Sequence, residues 1–137
     1  MPSVTGVLET SLYVEDLPRA IKFYKTIFNF ETLFSDDRAC ALSVAGKQVL
    51  LLFKKGASLK PHQAWGGVIP AHDGAGHLHL AFSIAADEFD EWETRLAQNN
   101  VAIESKVQWQ EGGQSLYFRD PDHHAIELAT PGTWTIY

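Results

Sequence analysis

The sequence has a single cysteine, Cys40, in 137 residues, so no internal disulfide can staple the fold and nothing points to an oxidising compartment. No stretch approaches the roughly 18 apolar residues needed to cross a bilayer. The opening MPSVTGVLETSLYVED has neither a basic start nor a long apolar run. The expectation is a cytoplasmic protein with no membrane partner. Basic residues are scarce as well: 11 Lys and Arg stand against 17 Asp and Glu, for a formal net charge of −6. Nucleic acid is not an expected partner, because its phosphates demand a basic patch. There is no Gly-rich phosphate loop, no Gly-x-Ser-x-Gly elbow and no Cys-x-x-Cys pair. What is present is 45% hydrophobic and 20% charged residues, the balance of a globular domain that buries a core.

Residues 7–14 alternate strictly. Leu8, Thr10, Leu12 and Val14 fall on one face of an expected strand, and Val7, Glu9, Ser11 and Tyr13 on the other. Asp16 then has the chemistry of an N-cap, Pro18 lies in the first turn, and LPRAIKFYKTIF follows with apolar residues at helical spacing. FETLFS, ACALSV and QVLLLFK read as three further strands, the last two joined by a turn at 45–47. Residues 55–76 are rich in Gly, Pro and Ala, lack periodicity, and read as a linker or mobile loop.

After that loop the first pattern returns. Residues 77–84 alternate again, with His77 and His79 on the polar face. Asp87 is an expected cap for EFDEWETRLAQNN, and VAIESKVQW, QSLYFRD and HAIELAT supply three strands. Aligning Glu9 with His79 requires an offset of 70 residues, and aligning Leu51 with Glu127 one of 76. Loop insertions account for the difference, and the repeat signals duplication. The expected fold is α+β, with two tandem βαβββ modules at about 4–55 and 76–131 forming one domain over 1–137.

VLETSLYVEDLPRAIKFYKTIFNFE resembles the opening of vicinal oxygen chelate proteins, and SLYFRDPDHHAIELATP resembles their closing turn and strand. The superfamily includes glyoxalase I, fosfomycin-resistance thiol transferases, extradiol dioxygenases, methylmalonyl-CoA epimerases and bleomycin-binding proteins. The resemblance covers about residues 4–132. It implies a cup-shaped half-barrel with a metal at its floor, and in short members a homodimer whose cups combine modules from two chains. It also implies the ligands. Glu9 stands six residues before Glu-Asp-Leu, where many members carry His; His79 lies in His-x-Ala-Phe; Glu127 follows the Asp-Pro-Asp turn. The fourth ligand of glyoxalase I falls at Leu51 here, which weakens that specific reading and favours a three-ligand site. One divalent ion per site (Zn, Mn, Ni, Co or Fe) is implied.

The pleat supplies a separate argument. The apolar residues of each strand must cover the helices, so Glu9, His77, His79 and Glu127 face the other way, with Ser115, Tyr117 and Arg119. A carboxylate enclosed there costs several kcal/mol unless paired, protonated or bound to metal. From the residues alone, Glu9 also reads as a solvated strand residue and His79 as a hydrogen-bonded core histidine. Tyr117, Arg119 and His77 are the candidate substrate-side groups. His62, His72, His123 and His124 read as solvated, with His123 at a position suited to positive φ. Trp65 and Trp109 read as structural, with Trp65 in the mobile loop also placed to line a cup, and Cys40 as pointing into the core. The function expected is a metal-dependent glyoxalase-like or thiol-transferase-like enzyme acting on a small oxygenated metabolite or xenobiotic. The alternatives are an extradiol-type dioxygenase and a metal-free drug- or metabolite-binding protein.

Overall fold

The computed structural model describes residues 1–137 and divides into two compact units, Met1–Ala75 and Gly76–Tyr137. In the first, β1 (Glu9–Val14) leads to α1 (Leu17–Phe28), followed by β2 (Glu31–Ser35), β3 (Ala39–Val44) and β4 (Gln48–Lys54). Alternation along β1 buries Leu12 and Val14 completely or nearly so, while Glu9 is exposed and Ser11 and Tyr13 half-buried. Asp16 caps α1 as expected, accepting the Arg19 N–H at 3.0 Å. The helix turns Leu17, Ala20, Tyr24 and Ile27 inward and stops at Asn29, whose φ of 56° ends the hydrogen-bond ladder. The sheet order is β1-β4-β3-β2, with β1 and β4 parallel.

The second unit repeats this plan. β7 (His79–Ser83) precedes a single 3₁₀ turn at Ala86–Glu88 and then α2 (Phe89–Gln98). β8 (Ile103–Gln108), β9 (Gln114–Arg119) and β10 (Ala125–Ala129) complete it, in the order β7-β10-β9-β8. The registers match as well. Glu9 pairs with Val49 and Ser11 with Leu51 in the first sheet; His79 pairs with Ala125 and Ala81 with Glu127 in the second. The offsets of 70 and 76 residues are therefore structural equivalences, and Leu51 stands where Glu127 stands.

Some expectations need correction. Strands β1 and β7 begin two residues later than their alternation suggested, leaving Val7 and Leu8 exposed. Asp87 does not cap α2, because the 3₁₀ turn intervenes and the helix start makes no side-chain cap bond. Residues 55–76 contain a short hairpin, β5 (His62–Ala64) with β6 (Gly67–Ile69), whose connection carries a fully exposed Trp65. Trp65 thus adds nothing to the core. No helix is long and apolar enough to cross a membrane.

Candidate metal centre

The polar face of the second sheet gathers three strands. Glu127 lies on central strand β10, directly opposite Tyr117 of β9, and diagonal to His79 of β7 through the His79–Ala125 pair. Ser115 pairs with Ala129 on the same face. His79 Nε2 lies 3.2 Å from Glu127 Oε1. The imidazole is half exposed, but only 6% of Glu127 is accessible, so its carboxylate must be satisfied from within. Ser115, wholly buried, donates to Glu127 Oε2 at 2.6 Å, and Trp109 Nε1–H donates to Ser115 Oγ at 2.8 Å. Burial raises the Tyr117 phenol above its ordinary range. The adjacent Glu127 charge and a hydrogen bond with that carboxylate raise it further, against a smaller lowering by Ser115.

The His79 tautomer follows from its other nitrogen. Nδ1 is 2.8 Å from the Ala125 carbonyl, which can only accept, so Nδ1 carries a proton and, in the neutral imidazole, Nε2 presents a lone pair. A divalent ion about 2.0–2.2 Å from an imidazole nitrogen and a carboxylate oxygen keeps those two atoms about 3.0–3.4 Å apart. The 3.2 Å separation of Nε2 and Oε1 falls in that interval, and the donors are of the right chemistry. These two residues fit a metal. No group of three or more His, Cys, Asp or Glu side chains able to hold one occurs within the chain. Glu9, the third expected ligand, opens β1 of the first unit and is exposed there.

The other expected groups are engaged differently. Arg119 donates through Nε to Glu104 at 2.9 Å and through an Nη to the His123 carbonyl at 3.0 Å, which anchors it at the end of the sheet. His77 sits beside His123, their rings 5.5 Å apart. His123 does adopt a left-handed φ of 65°. Two histidines expected in solvent are not there. His124 is entirely buried, and the partly buried His72 shares a hydrogen bond between its Nδ1 and the Tyr13 hydroxyl, 2.7 Å away. The Tyr13 phenol is raised by burial and by nearby Asp73. Cys40 is buried as expected, and burial pushes its thiol up, against smaller lowering by Ser35 and Lys25. Alternation correctly assigned Ser115 to the polar face, but its link to Trp109 depends on the 109–113 turn, which carries no sequence signature beyond Gly112 and Gly113.

Comparison with known proteins matches residues 6–128 to the Glyoxalase/Bleomycin resistance protein/Dioxygenase superfamily. The metallothiol transferase FosB of Staphylococcus saprophyticus is 32% identical over 129 residues, 93% of this chain and 78% of that protein. The fosfomycin resistance protein FosX of Listeria monocytogenes is 30% identical over 133 residues, 91% of this chain and 89% of its own length. The lactoylglutathione lyase from Agrobacterium tumefaciens superposes with a TM-score of 0.88 at 30% identity, covering 98% of this chain and 99% of that one. A FosX structure in complex with Mn(II) and sulfate gives a TM-score of 0.69 at 26% identity, with 93% and 91% covered. The fold is that of the vicinal oxygen chelate proteins, and the chain belongs to the Glyoxalase/Bleomycin resistance protein/Dioxygenase superfamily.

Proposed function

We propose that the chain is a metal-dependent enzyme of the glyoxalase or thiol-transferase type. Its substrate is a small oxygenated metabolite or xenobiotic, and Glu9, His79 and Glu127 hold the divalent ion. The observation that carries this reading is the 3.2 Å approach of His79 Nε2 to Glu127 Oε1, with each side chain pinned through its other polar atom. The likeness to a metallothiol transferase and to a protein solved with Mn(II) supports it. By resemblance to short relatives, Glu9 reaches the pair from a second copy, and the working unit is a homodimer.

When bound, the ion supplies Lewis-acid polarisation of a coordinated oxygen. The chain's residues do the rest. His79 keeps a proton on Nδ1 by donating to Ala125, so Nε2 is the nitrogen turned toward the ion. Tyr117, raised above its ordinary range, remains a neutral phenol at neutral pH, and its one proton must turn from the Glu127 carboxylate for it to donate to a substrate oxygen on which negative charge develops. Arg119 and His77 stand on the substrate side, Arg119 oriented by Glu104.

A metal-free binding role is favoured by one observation: His79, when protonated, pairs with Glu127 at this distance without any ion. Elemental analysis of untagged protein, with Mn²⁺ titration of the metal-free form, separates the two. About one divalent ion per chain is expected. Mixing inactive Glu9→Ala and Glu127→Ala chains should restore about a quarter of the sites by random exchange. Binding no tighter than in the Glu9→Ala, Glu127→Ala double variant overturns the metal reading, and a monomer by light scattering overturns the shared site.

A further inference from the structure

We propose that Trp109 is a positioning residue for Glu127, acting through Ser115 to fix which carboxylate oxygen is offered to the ion; this rests on the metal reading above. The polarity of the relay follows from elementary hydrogen-bond chemistry. The indole Nε1–H can only donate, so at 2.8 Å the Ser115 hydroxyl must accept from it. That hydroxyl has one proton, and it goes to Glu127 Oε2 at 2.6 Å, the short distance of a charge-assisted bond. Ser115 is fully buried, so no bulk water competes for either end. With Oε2 engaged, Oε1 is the oxygen left facing His79 Nε2.

The turn between β8 and β9 holds Trp109 in place. Its backbone N–H bonds to the Gly113 carbonyl at 2.7 Å, and the Gly112 N–H returns to the Trp109 carbonyl at 3.0 Å. A Cβ at Gly113 would strike the backbone of Gly132 and Thr133, so the turn is seated against the chain's closing segment with no space for a side chain. Trp109→Phe keeps an aromatic ring of smaller volume but removes the donor, which loosens the Ser115 hydroxyl and lets Glu127 exchange oxygens.

The experiment is calorimetric titration of metal-free protein with MnCl₂, comparing wild type, Trp109→Phe, Ser115→Ala and the double variant. Loss of an outer partner of a metal ligand costs about 10–100-fold in affinity. Trp109→Phe should therefore bind Mn²⁺ about tenfold more weakly, Ser115→Ala similarly, and the double variant no more weakly than Ser115→Ala alone. A merely structural role for the indole would make the two losses additive, and additivity overturns the proposal, as does wild-type affinity in Trp109→Phe. Wild-type protein that binds no better than Glu127→Gln overturns the metal reading itself. In that case the Trp109 indole N–H proton resonance still tests the relay without metal. It should move in Ser115→Ala and in Glu127→Gln, and an unmoved resonance overturns the relay.

Discussion

His124 Nδ1 accepts the backbone N–H of Leu78 at 2.9 Å, joining the turn before β10 to the residue that precedes His79. Because the amide can only donate, the imidazole proton sits on Nε2. Asp120 Oδ1 in turn takes the N–H groups of Asp122 and His124, each at 2.9 Å, which holds the histidine in the core. His124→Ala should destabilise the protein by about 2–4 kcal/mol, from a cavity plus an amide left without its acceptor. Chemical denaturation measures this. His124→Asn, which keeps an acceptor on a shorter arm, should cost clearly less; an equal cost would mean that volume alone matters.

Leu51 occupies the position of Glu127 in the duplicate sheet, diagonal to Glu9 as Glu127 is to His79. Leu51→Glu would set two carboxylates on one face with neither a serine relay nor an imidazole between them. In the absence of metal the variant should lose about 1–3 kcal/mol. Thermal melting with and without Mn²⁺ is the measurement, and a metal-induced rise in melting temperature larger than wild type's is expected. No difference would show that these positions do not converge.

Asp36 gives a pH test in the first unit. Burial alone would raise its carboxyl, but hydrogen bonds from the Arg38 and Ala39 amides, both at 2.8 Å, and the charges of Arg38 and His62 outweigh it and hold the group below the usual range. A depressed folded-state value stabilises above the unfolded value of about 3.9 and the benefit is lost as pH falls through the folded one. Asp36→Asn should therefore melt lower than wild type at pH 6, with the gap closing below about pH 4. A constant gap across that window would assign the effect to the turn rather than to the charge.

His123 has a left-handed φ of 65°, where glycine carries no Cβ penalty. His123→Gly should be neutral or stabilising by up to about 1 kcal/mol, whereas His123→Val should cost more than about 1 kcal/mol. Urea midpoints of the two variants, read against wild type, give the comparison.

The repeated βαβββ plan was legible because alternation in β1 and β7 and the Asp16 cap are local signals that tertiary packing reinforced. The position of Glu127 beside His79 was legible for the same reason, since a period of two assigns faces without knowing partners. What was hidden depends on distance along the chain. His124 looked solvated because its acceptor role involves an amide 46 residues away. The β5–β6 strands have three residues each, too short for any periodicity to register. Asp87 has capping chemistry, but the 3₁₀ turn put it one turn out of place, a choice the backbone made after Ala85 that composition does not encode.

Glu9 and His79 belong to outer strands of their sheets, whereas Glu127 belongs to an inner one. A side chain on an outer strand has a neighbour strand on one side only, so exchanging it disturbs few contacts and little stability. An inner, enclosed carboxylate with serine and tyrosine around it has no such latitude. If the proposed ligands hold an ion, exchanging Glu9 or His79 should therefore change its binding with little loss of stability, whereas exchanging Glu127 should cost both. Tolerance to change is thus expected at the sheet margins, and a designer seeking a new activity would begin at Glu9 and leave Glu127 untouched.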